Sequence, residues 1–267
     1  MLEFAKQITL EAGEIVKKYY YSDNVKVENK SEKDLVTEAD KECEKFLVQK
    51  IKAQYPDHDI LGEEGTSGEN ENAQYKWVLD PIDGTTNFAH KLPMFGISVG
   101  IEKYYEDGRT EIVVGVVYNP ITGEFFYAEK GEGAYLEIVG SSMEPKKLHI
   151  SKVTELKKSL LATGFHPGYP DLMKKNFAYF EDLQLASHTV RRLGAASIDL
   201  AYVAAGYFAG YWELKLKPWD VAAGVLLVTE AGGKVTKLDG SPYSIYSEDI
   251  LATNGLIHEE IETHLKK

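Results

Sequence analysis

Cysteine is almost missing from this 267-residue chain, in which Cys43 is the only one. A single cysteine cannot form an internal disulfide, which excludes a disulfide-stapled secreted domain and fits a reducing compartment. No apolar run approaches the roughly 20 residues that a membrane-spanning helix needs. Residues 1–6 also lack the basic-then-apolar layout of a secretory signal. We therefore expect a cytoplasmic protein that does not enter membranes.

Basic residues are in short supply, with 30 Lys and Arg against 42 Asp and Glu, so the formal net charge is −12. An acidic chain repels a phosphate backbone, and we expect no direct nucleic-acid binding. Solvation of the surface accounts for most of the acid excess. A minority of the carboxylates, however, lie beside glycines and apolar strands, and these are the candidates for a functional site.

The apolar pattern changes character at about residue 150. Helical spacing in the first segment and over 38–54 precedes a run of predicted strands, which suggests two helices and an antiparallel meander. These strands are 77–79, 97–102, 111–118, 124–129 and 134–138. After residue 150, strands at 160–162, 190, 207–213, 235 and 251 alternate with helices at 171–185, 195–205 and 221–231. We expect an α/β protein with an N-terminal half, 1–150, and a C-terminal alternating half with a mixed sheet, 151–267.

The segment 80–87 carries two acids, Asp80 and Asp83, at the exit of a buried strand. Gly84 permits close backbone approach to a ligand, and a helix starting near Thr85 would present amide groups suited to a phosphate. Oxygen ligands without Cys or His favour Mg²⁺ over zinc. The alternative is a turn in which both acids merely accept hydrogen bonds from backbone amides.

Two further acids follow the same logic. Glu63 comes after the apolar pair 60–61, where a metal would relieve its repulsion with Glu64, but taken alone the segment is better explained as an exposed acidic loop. Asp220 precedes an apolar helix and is a candidate metal ligand, with simple N-capping as the alternative.

At three other positions, a purely structural explanation competes more strongly with the functional one. The small residues at 194–196 could leave room for a ligand or only allow close helix packing. Glu213 ends an aromatic strand, where it could bind substrate hydroxyls or be a surface acid on an edge strand. Asp40 fits a capping box with Thr37.

In this order, the segments resemble the inositol monophosphatase family, within a wider set of lithium-sensitive, Mg²⁺-dependent phosphatases. The similarity spans the chain as far as 252–254 and is most specific in its central segment. The matching residues are 34–37 with Asp40, 62–64, 77–88, 194–196, Glu213 and 219–224.

The resemblance implies an α-β-α-β-α layered sandwich, a homodimer, and two or three Mg²⁺ ions in each active site. One ion would be held by Glu63, Asp80 and the Ile82 carbonyl, and a second by Asp80, Asp83 and Asp220. Lithium inhibition is expected on the same ground.

Substrate roles are also implied by the resemblance. Catalysis would involve Asp40 and Thr85, which would activate water, and Glu63, which would orient it. The substrate would be bound by Asp83, Gly84, Thr85, Gly194, Ala196, Glu213 and Asp220. Lys30 corresponds to a basic position on a loop, although Asn29 and Lys33 are alternatives for that register.

The expected reaction is Mg²⁺-dependent hydrolysis of small phosphorylated polyols or sugars, above all inositol 1-phosphate, by direct attack of water. Fructose 1,6-bisphosphate or a nucleotide phosphate is the alternative substrate, with Arg191, Arg192 or Lys215 binding a second phosphate. Glu213 and 194–196 favour the inositol reading, because a carboxylate suits hydroxyls and repels a second phosphate. An alternative of another class is a regulatory protein of a transcription complex.

Overall fold

The computed structural model describes residues 1–22, 27–31, 34–68, 70, 72–166 and 168–266, with the backbone alone for those between 27 and 36. Lys30 therefore has no described side chain, and Lys33 lies outside the described residues. Within these ranges the first two strands, β1 (Val27–Ser31) and β2 (Asp34–Thr37), form an antiparallel pair.

Two long helices form the outer layer of the N-terminal half. α1 (Leu2–Tyr20) buries Ala5, Ile8, Ala12 and Val16, a spacing that places them on one face. α2 (Glu38–Gln54) begins with a capping box at Thr37 and ends shortly before Pro56. Both helices are confirmed where the apolar spacing predicts them.

The first sheet contains seven described strands in the order β3-β4-β5-β6-β7-β8-β9. β3 and β4 are parallel, and all the other neighbours are antiparallel. Its strands are β3 (Asp59–Gly62), β4 (Tyr75–Asp83), β5 (Gly96–Tyr104), β6 (Thr110–Tyr118), β7 (Glu124–Glu129), β8 (Gly133–Ile138) and β9 (Lys146–Lys147). A short helix, α3 (Thr85–Ala89), follows β4 directly. The predicted meander is confirmed.

The second sheet has five described strands in the order β11-β10-β12-β14-β13. β10 is parallel to both β11 and β12, whereas β14 is antiparallel to β12 and β13. Its strands are β10 (Leu160–Thr163), β11 (Thr189–Arg191), β12 (Gly210–Leu214), β13 (Lys234–Thr236) and β14 (Asp249–Thr253). The helices of this half are α4 (Pro170–Ala186), α5 (Ala196–Ala204), α6 (Pro218–Glu230) and α7 (His258–Leu265), with a 3₁₀ turn at Leu156–Lys158.

Neighbouring residues of single strands show how the layers stack. In β4, Trp77 packs in the core with α1 and α2, whereas Val78 packs with α5 and α6. In β12, Tyr211 faces the same α5–α6 layer, and Trp212 packs with α4 and α7. Because successive strand side chains point to opposite faces, α5 and α6 lie between the two sheets. The predicted α-β-α-β-α sandwich is confirmed.

In the C-terminal half, two predicted boundaries are wrong and one helix was not predicted. α6 begins at Pro218, three residues before the predicted start, because the fixed φ of proline suits the first helical turn. β12 begins at Gly210, since Tyr207 lies in a turn whose amide bonds to the Tyr202 carbonyl. α7 has no counterpart in the sequence prediction. Among the described helices, none is both long and apolar enough to cross a bilayer.

Candidate active site

The carboxyl ends of the parallel strands from both sheets face one pocket of about 280 Å³. In α/β folds this is where ligands ordinarily bind. The pocket is lined by Glu63, Asp80, Ile82, Asp83, Gly84, Thr85, Thr86, Gly164, Phe165, His166, Gly168, Arg192, Gly194, Ala195, Ala196, Glu213, Leu216, Lys217, Trp219 and Asp220. Every predicted site residue except Asp40 is in this set. A larger cavity of about 460 Å³ lies beside the C-terminal half of α6 and contains none of the predicted residues.

The end of β4 supplies the two central acids. Asp80 is only 2% exposed, and its Oδ1 accepts the Ile82 amide at 3.0 Å. Asp83 receives two bonds at its Oδ2, from the amide and the hydroxyl of Ser197, each 2.6 Å long. Both acids thus accept amide bonds, as the turn alternative requires, and both also line the pocket.

The start of α3 depends on glycine. Gly84 has φ +92°, a left-handed conformation that side chains disfavour, and it directs the chain from β4 into the helix. The next side chain, Thr85, places its hydroxyl 3.1 Å from the Ile82 carbonyl and 3.3 Å from Asp40 Oδ1. The hydroxyl is therefore held between the pocket and α2.

Asp40 lies behind the pocket wall instead of on it. It is fully buried, and its Oδ2 accepts the amide and the hydroxyl of Thr37 at 2.8 and 2.5 Å. The capping alternative is therefore realised. Asp40 also contacts Thr85, and this contact is its link to the pocket.

Glu63 lies on a tight loop that follows β3. The sequence analysis predicted no contact that would fix this loop in place. The Glu63 amide donates to the Leu79 carbonyl at 3.2 Å, which ties the loop to β4. The buried Glu44 of α2 accepts the Glu64 amide at 2.8 Å and the Thr66 hydroxyl at 2.7 Å. The sequence of 62–65 could not predict the contact with Glu44, because Glu44 lies on another element, α2.

Asp220 and Glu213 approach the pocket from the second sheet and the α5–α6 layer. Asp220 is the third residue of α6 and not its N-cap, and its Oδ2 accepts the Lys217 amide at 2.7 Å. Glu213 lies on β12, between β10 and β14, so the edge-strand alternative is wrong. The buried Tyr211 donates its hydroxyl to Glu213 Oε2 at 2.5 Å.

Burial and mutual repulsion shape the charge of these acids. Burial raises the pKa of Asp80 well above its usual range, and the charges of Glu63, Asp83 and Asp220 add to the effect. Burial and then the charge of Asp83 raise the pKa of Asp220, against the Lys217 amide bond. Burial also raises the pKa of Asp83, while the bonds from Ser197 lower it. Burial raises the pKa of Glu213 to about 7, although the Tyr211 bond opposes it.

The donor chemistry fits a hard divalent cation. Four carboxylates and the Ile82 carbonyl are oxygen ligands of the kind that Mg²⁺ and Mn²⁺ prefer, and all of them line one pocket. Among the residues that the structure describes, no three acidic, His or Cys side chains converge into a group that could hold an ion. One oxygen of each of Asp80, Asp83 and Asp220 accepts a backbone amide. The fit therefore rests on donor type and shared location.

Several lining residues were not identified from the sequence. Gly164 follows β10, and a Cβ there would lie 1.9 Å from Glu213 Oε2, so the position must be small. Phe165 and His166 follow Gly164 in the same irregular segment, and Lys217 precedes α6. The available signal was the glycine- and proline-rich stretch after β10, because loops at the carboxyl ends of parallel strands usually line the ligand site.

Carboxylates from both halves of the chain line one pocket around a glycine–threonine helix start, an arrangement that is typical of metal-dependent phosphoester hydrolases. The chain belongs to the inositol monophosphatase family, whose profile matches residues 1–267. It is thereby a phosphoric monoester hydrolase.

Relatives in sequence cover most of the chain. "Inositol-1-monophosphatase" of Synechocystis sp. is 41% identical over an alignment of 269 positions that covers 99% of this chain and 88% of that protein. "Nus factor SuhB" of Pasteurella multocida is 39% identical over 262 residues, 98% of this chain and 94% of the relative. "Phosphatase IMPL1, chloroplastic" of Arabidopsis thaliana is 41% identical over 85% of this chain, which spans only 60% of that longer protein.

Solved structures share the fold. The extragenic suppressor protein suhB from Bartonella henselae superposes with a TM-score of 0.88 at 35% identity, covering 99% of this chain and 98% of the other. Inositol monophosphatase from Anabaena (Nostoc) sp. gives a TM-score of 0.85 at 38% identity, covering 99% and 94%.

Proposed function

We propose that the protein hydrolyses inositol 1-phosphate and related small phosphate monoesters with Mg²⁺ as cofactor. The observation that carries the proposal is that Glu63, Asp80, Asp83 and Asp220 all line one pocket beside the start of α3. The relatives named inositol-1-monophosphatase support the substrate class. We further propose that residues 1–150 supply most of the metal ligands and 151–267 the substrate contacts and Asp220.

The cofactor would be held by the acids of both halves. Glu63, Asp80 and the Ile82 carbonyl are the ligands proposed for one Mg²⁺, and Asp80, Asp83 and Asp220 for another. When bound, Mg²⁺ supplies Lewis-acid polarisation of the phosphoryl group and neutralises charge that develops in the transition state.

The remaining roles belong to side chains and amides of the chain. We assign the Gly84 and Thr85 amides to the phosphate oxygens. The Thr85 hydroxyl, held between Asp40 and the Ile82 carbonyl, can pass a proton from an attacking water toward Asp40. Asp40 accepts two bonds from Thr37 at its Oδ2, and its Oδ1 accepts the Thr85 hydroxyl, so this oxygen is placed to receive that proton.

Recognition of the polyol falls to the second half. Glu213 and the small residues Gly194 and Ala196 line the pocket opposite β4. We propose that Glu213 accepts hydrogen bonds from ring hydroxyls, since a carboxylate held by Tyr211 is fixed in direction. Gly194 and Ala196 leave space for the ring.

A second candidate substrate is a sugar bisphosphate, which Arg192 and Lys217 favour because both cations line the pocket. Among the other candidates, Arg191 donates to Thr189 at 2.7 Å outside the pocket, and Lys215 pairs with Glu248. Glu213 opposes this reading, because its charge would repel a second phosphate.

Release of phosphate from a panel of esters, with and without Mg²⁺, tests the proposal. Rapid Mg²⁺-dependent hydrolysis of inositol 1-phosphate is expected, with slower hydrolysis of fructose 1,6-bisphosphate and nucleotide phosphates. Absence of hydrolysis across the panel would favour a regulatory role of the kind that the name "Nus factor" gives to relatives. Millimolar LiCl at limiting Mg²⁺ should inhibit the reaction. We also propose a cytoplasmic location and a homodimer. Light scattering of the purified protein would show the dimer at twice the chain mass of 29.9 kDa.

A further inference from the structure

One face of α2 makes three polar contacts with segments of the candidate site. Asp40, Cys43 and Glu44 lie at spacings of three and four residues, so they share a side of the helix. Asp40 contacts Thr85, and the Cys43 thiol lies 3.6 Å from the Pro81 carbonyl, between Asp80 and Ile82. Glu44 contacts the loop that carries Glu63.

Glu44 holds the loop that carries Glu63 with both of its carboxylate oxygens. It is only 3% exposed, and its two oxygens accept three donors from the loop: the Glu64 amide, the Thr66 amide and the Thr66 hydroxyl, at 2.8, 3.3 and 2.7 Å. All three groups are donors, so an ionised carboxylate matches them and an amide side chain does not. The contact is also tight, because a Cβ on Gly62 would lie 2.5 Å from the Glu44 carboxyl carbon.

These bonds surround Glu63 on both sides in sequence. The Gly62 amide donates to the Thr66 carbonyl at 2.7 Å, and the Glu63 amide donates to Leu79 at 3.2 Å. The loop is thus closed on itself, tied to β4 and fixed to α2. Since Glu63 lies between these attachment points, the direction of its side chain depends on all of them.

We propose that Glu44 is a positioning residue that orients Glu63 as a metal ligand, so that it sets the affinity of the site for divalent cations. The proposal rests on the proposed function, in which Glu63 binds the metal. Glu44 does not line the pocket, so it acts through the loop. Groups one step behind metal ligands typically change affinity or activity by ~10–100-fold when removed.

The chain offers a matched control in β3, the strand that precedes the loop carrying Glu63. Asp59, at the other end of β3, is 8% exposed and accepts the Asn70 amide at 3.0 Å, away from the pocket. Glu44→Gln and Asp59→Asn are the same chemical change in a buried loop anchor. Their comparison separates the effect on metal binding from a general effect on folding.

The first measurement is the affinity of the full-length protein for Mn²⁺ in the absence of substrate. Electron paramagnetic resonance detects the Mn²⁺ that remains free. We expect Glu44→Gln to raise the Mn²⁺ Kd by ~10-fold or more, and Asp59→Asn to leave the Kd within about twofold of wild type. The thermal midpoints of both variants, recorded without metal, show how far each substitution affects folding. We expect kcat of Glu44→Gln at saturating Mg²⁺ to stay within a few fold of wild type. Equal Kd changes in the two variants would overturn the proposal.

Thr66→Val separates the effect of the loop position on metal binding from the effect of the Glu44 charge. It also tests the proposal if Glu44→Gln fails to fold. It removes the 2.7 Å hydroxyl bond but keeps the Glu44 carboxylate. A Kd raised by ~3-fold or more supports positioning, in line with the loss of one bond to a charged group. An unchanged Kd would contradict it and leave only the charge of Glu44. If wild type itself binds no Mn²⁺ and releases no phosphate, the proposed function fails; if wild type does both, a failure among the variants concerns Glu44 alone.

Discussion

Two helices of this protein bury carboxylates beside the same pocket, and they treat them differently. On α2, Asp40 and Glu44 are buried but surrounded by donors from Thr37, Thr66 and neighbouring amides. On α5, Asp199 is fully buried, and neither of its carboxylate oxygens has a hydrogen-bond partner among the described residues. The first helix uses its acids to hold loops, whereas the acid of the second holds none.

The difference bears on charge. A buried carboxylate can stay ionised when donors replace water, but an unpartnered one favours its neutral form. Burial, followed by the charges of Glu213 and Asp83, raises the pKa of Asp199 well above its ordinary range. On the α5–β12 side, burial therefore raises the pKa values of Asp199 and Glu213, whereas the acids of α2 have hydrogen-bond donors in place of water.

The largest effect is expected from Asp83 and Asp220, the acids that line the pocket between the α2 side and the α5–β12 side. We predict that Asp83→Asn or Asp220→Asn lowers kcat/KM for inositol 1-phosphate by more than ~10²-fold, beyond the usual effect of residues behind the metal ligands. An amide keeps the size of the side chain but is a poor ligand for a cation. Phosphate release at saturating Mg²⁺ measures the effect, with circular dichroism to show that the fold is intact. Near-normal turnover by either variant would remove that residue from the site.

Glu213 sharpens the comparison on the α5–β12 side. Its pKa of about 7 means that the charged form, which accepts hydroxyl hydrogen bonds, becomes dominant as pH rises from 6 to 8. KM for inositol 1-phosphate should fall over that interval, and Glu213→Gln should raise KM by ~10-fold at pH 8 and flatten the dependence. p-Nitrophenyl phosphate, which has no ring hydroxyls, is the control substrate. The same pH dependence of KM with both substrates would count against the assignment.

The smallest expected effect concerns Asp199. Since its folded pKa is raised, the unfolded chain loses this proton above about pH 4 while the folded protein keeps it. This lowers the free energy of unfolding of wild type as pH rises toward the folded pKa. Asp199→Asn should therefore match wild type near pH 4 and exceed it by ~1 kcal/mol or more at pH 8. Urea denaturation at both pH values measures the difference. A variant that is less stable at pH 8 would show that the carboxylate has a favourable partner.

Local signals in the sequence were enough for much of this architecture. Apolar spacing predicted α1, α2 and the meander, and the acids at the end of β4 were candidate ligands because a strand ends there. The start of α6 was misplaced because Asp220 resembled an N-cap, whereas Pro218 opens the helix. An aromatic run extended the predicted β12 back to Tyr207, which lies in a turn.

Contacts between distant elements could not be predicted in this way. Glu44 reads as an ordinary helical acid until β3 and its loop are placed against α2. Arg192 and Arg191 are equivalent in sequence, and only the turn after β11 directs one of them into the pocket. Asp199 carries no local mark of burial, because its surroundings are assembled from α5, β12 and β4.

The central claim is that acids from both halves converge to hold divalent cations. Anomalous diffraction from crystals soaked in Mn²⁺ tests it most directly. The account predicts anomalous density between Glu63, Asp80, Asp83 and Asp220, with carboxylate oxygens directed at it. Carboxylates that point apart with no density between them would contradict it.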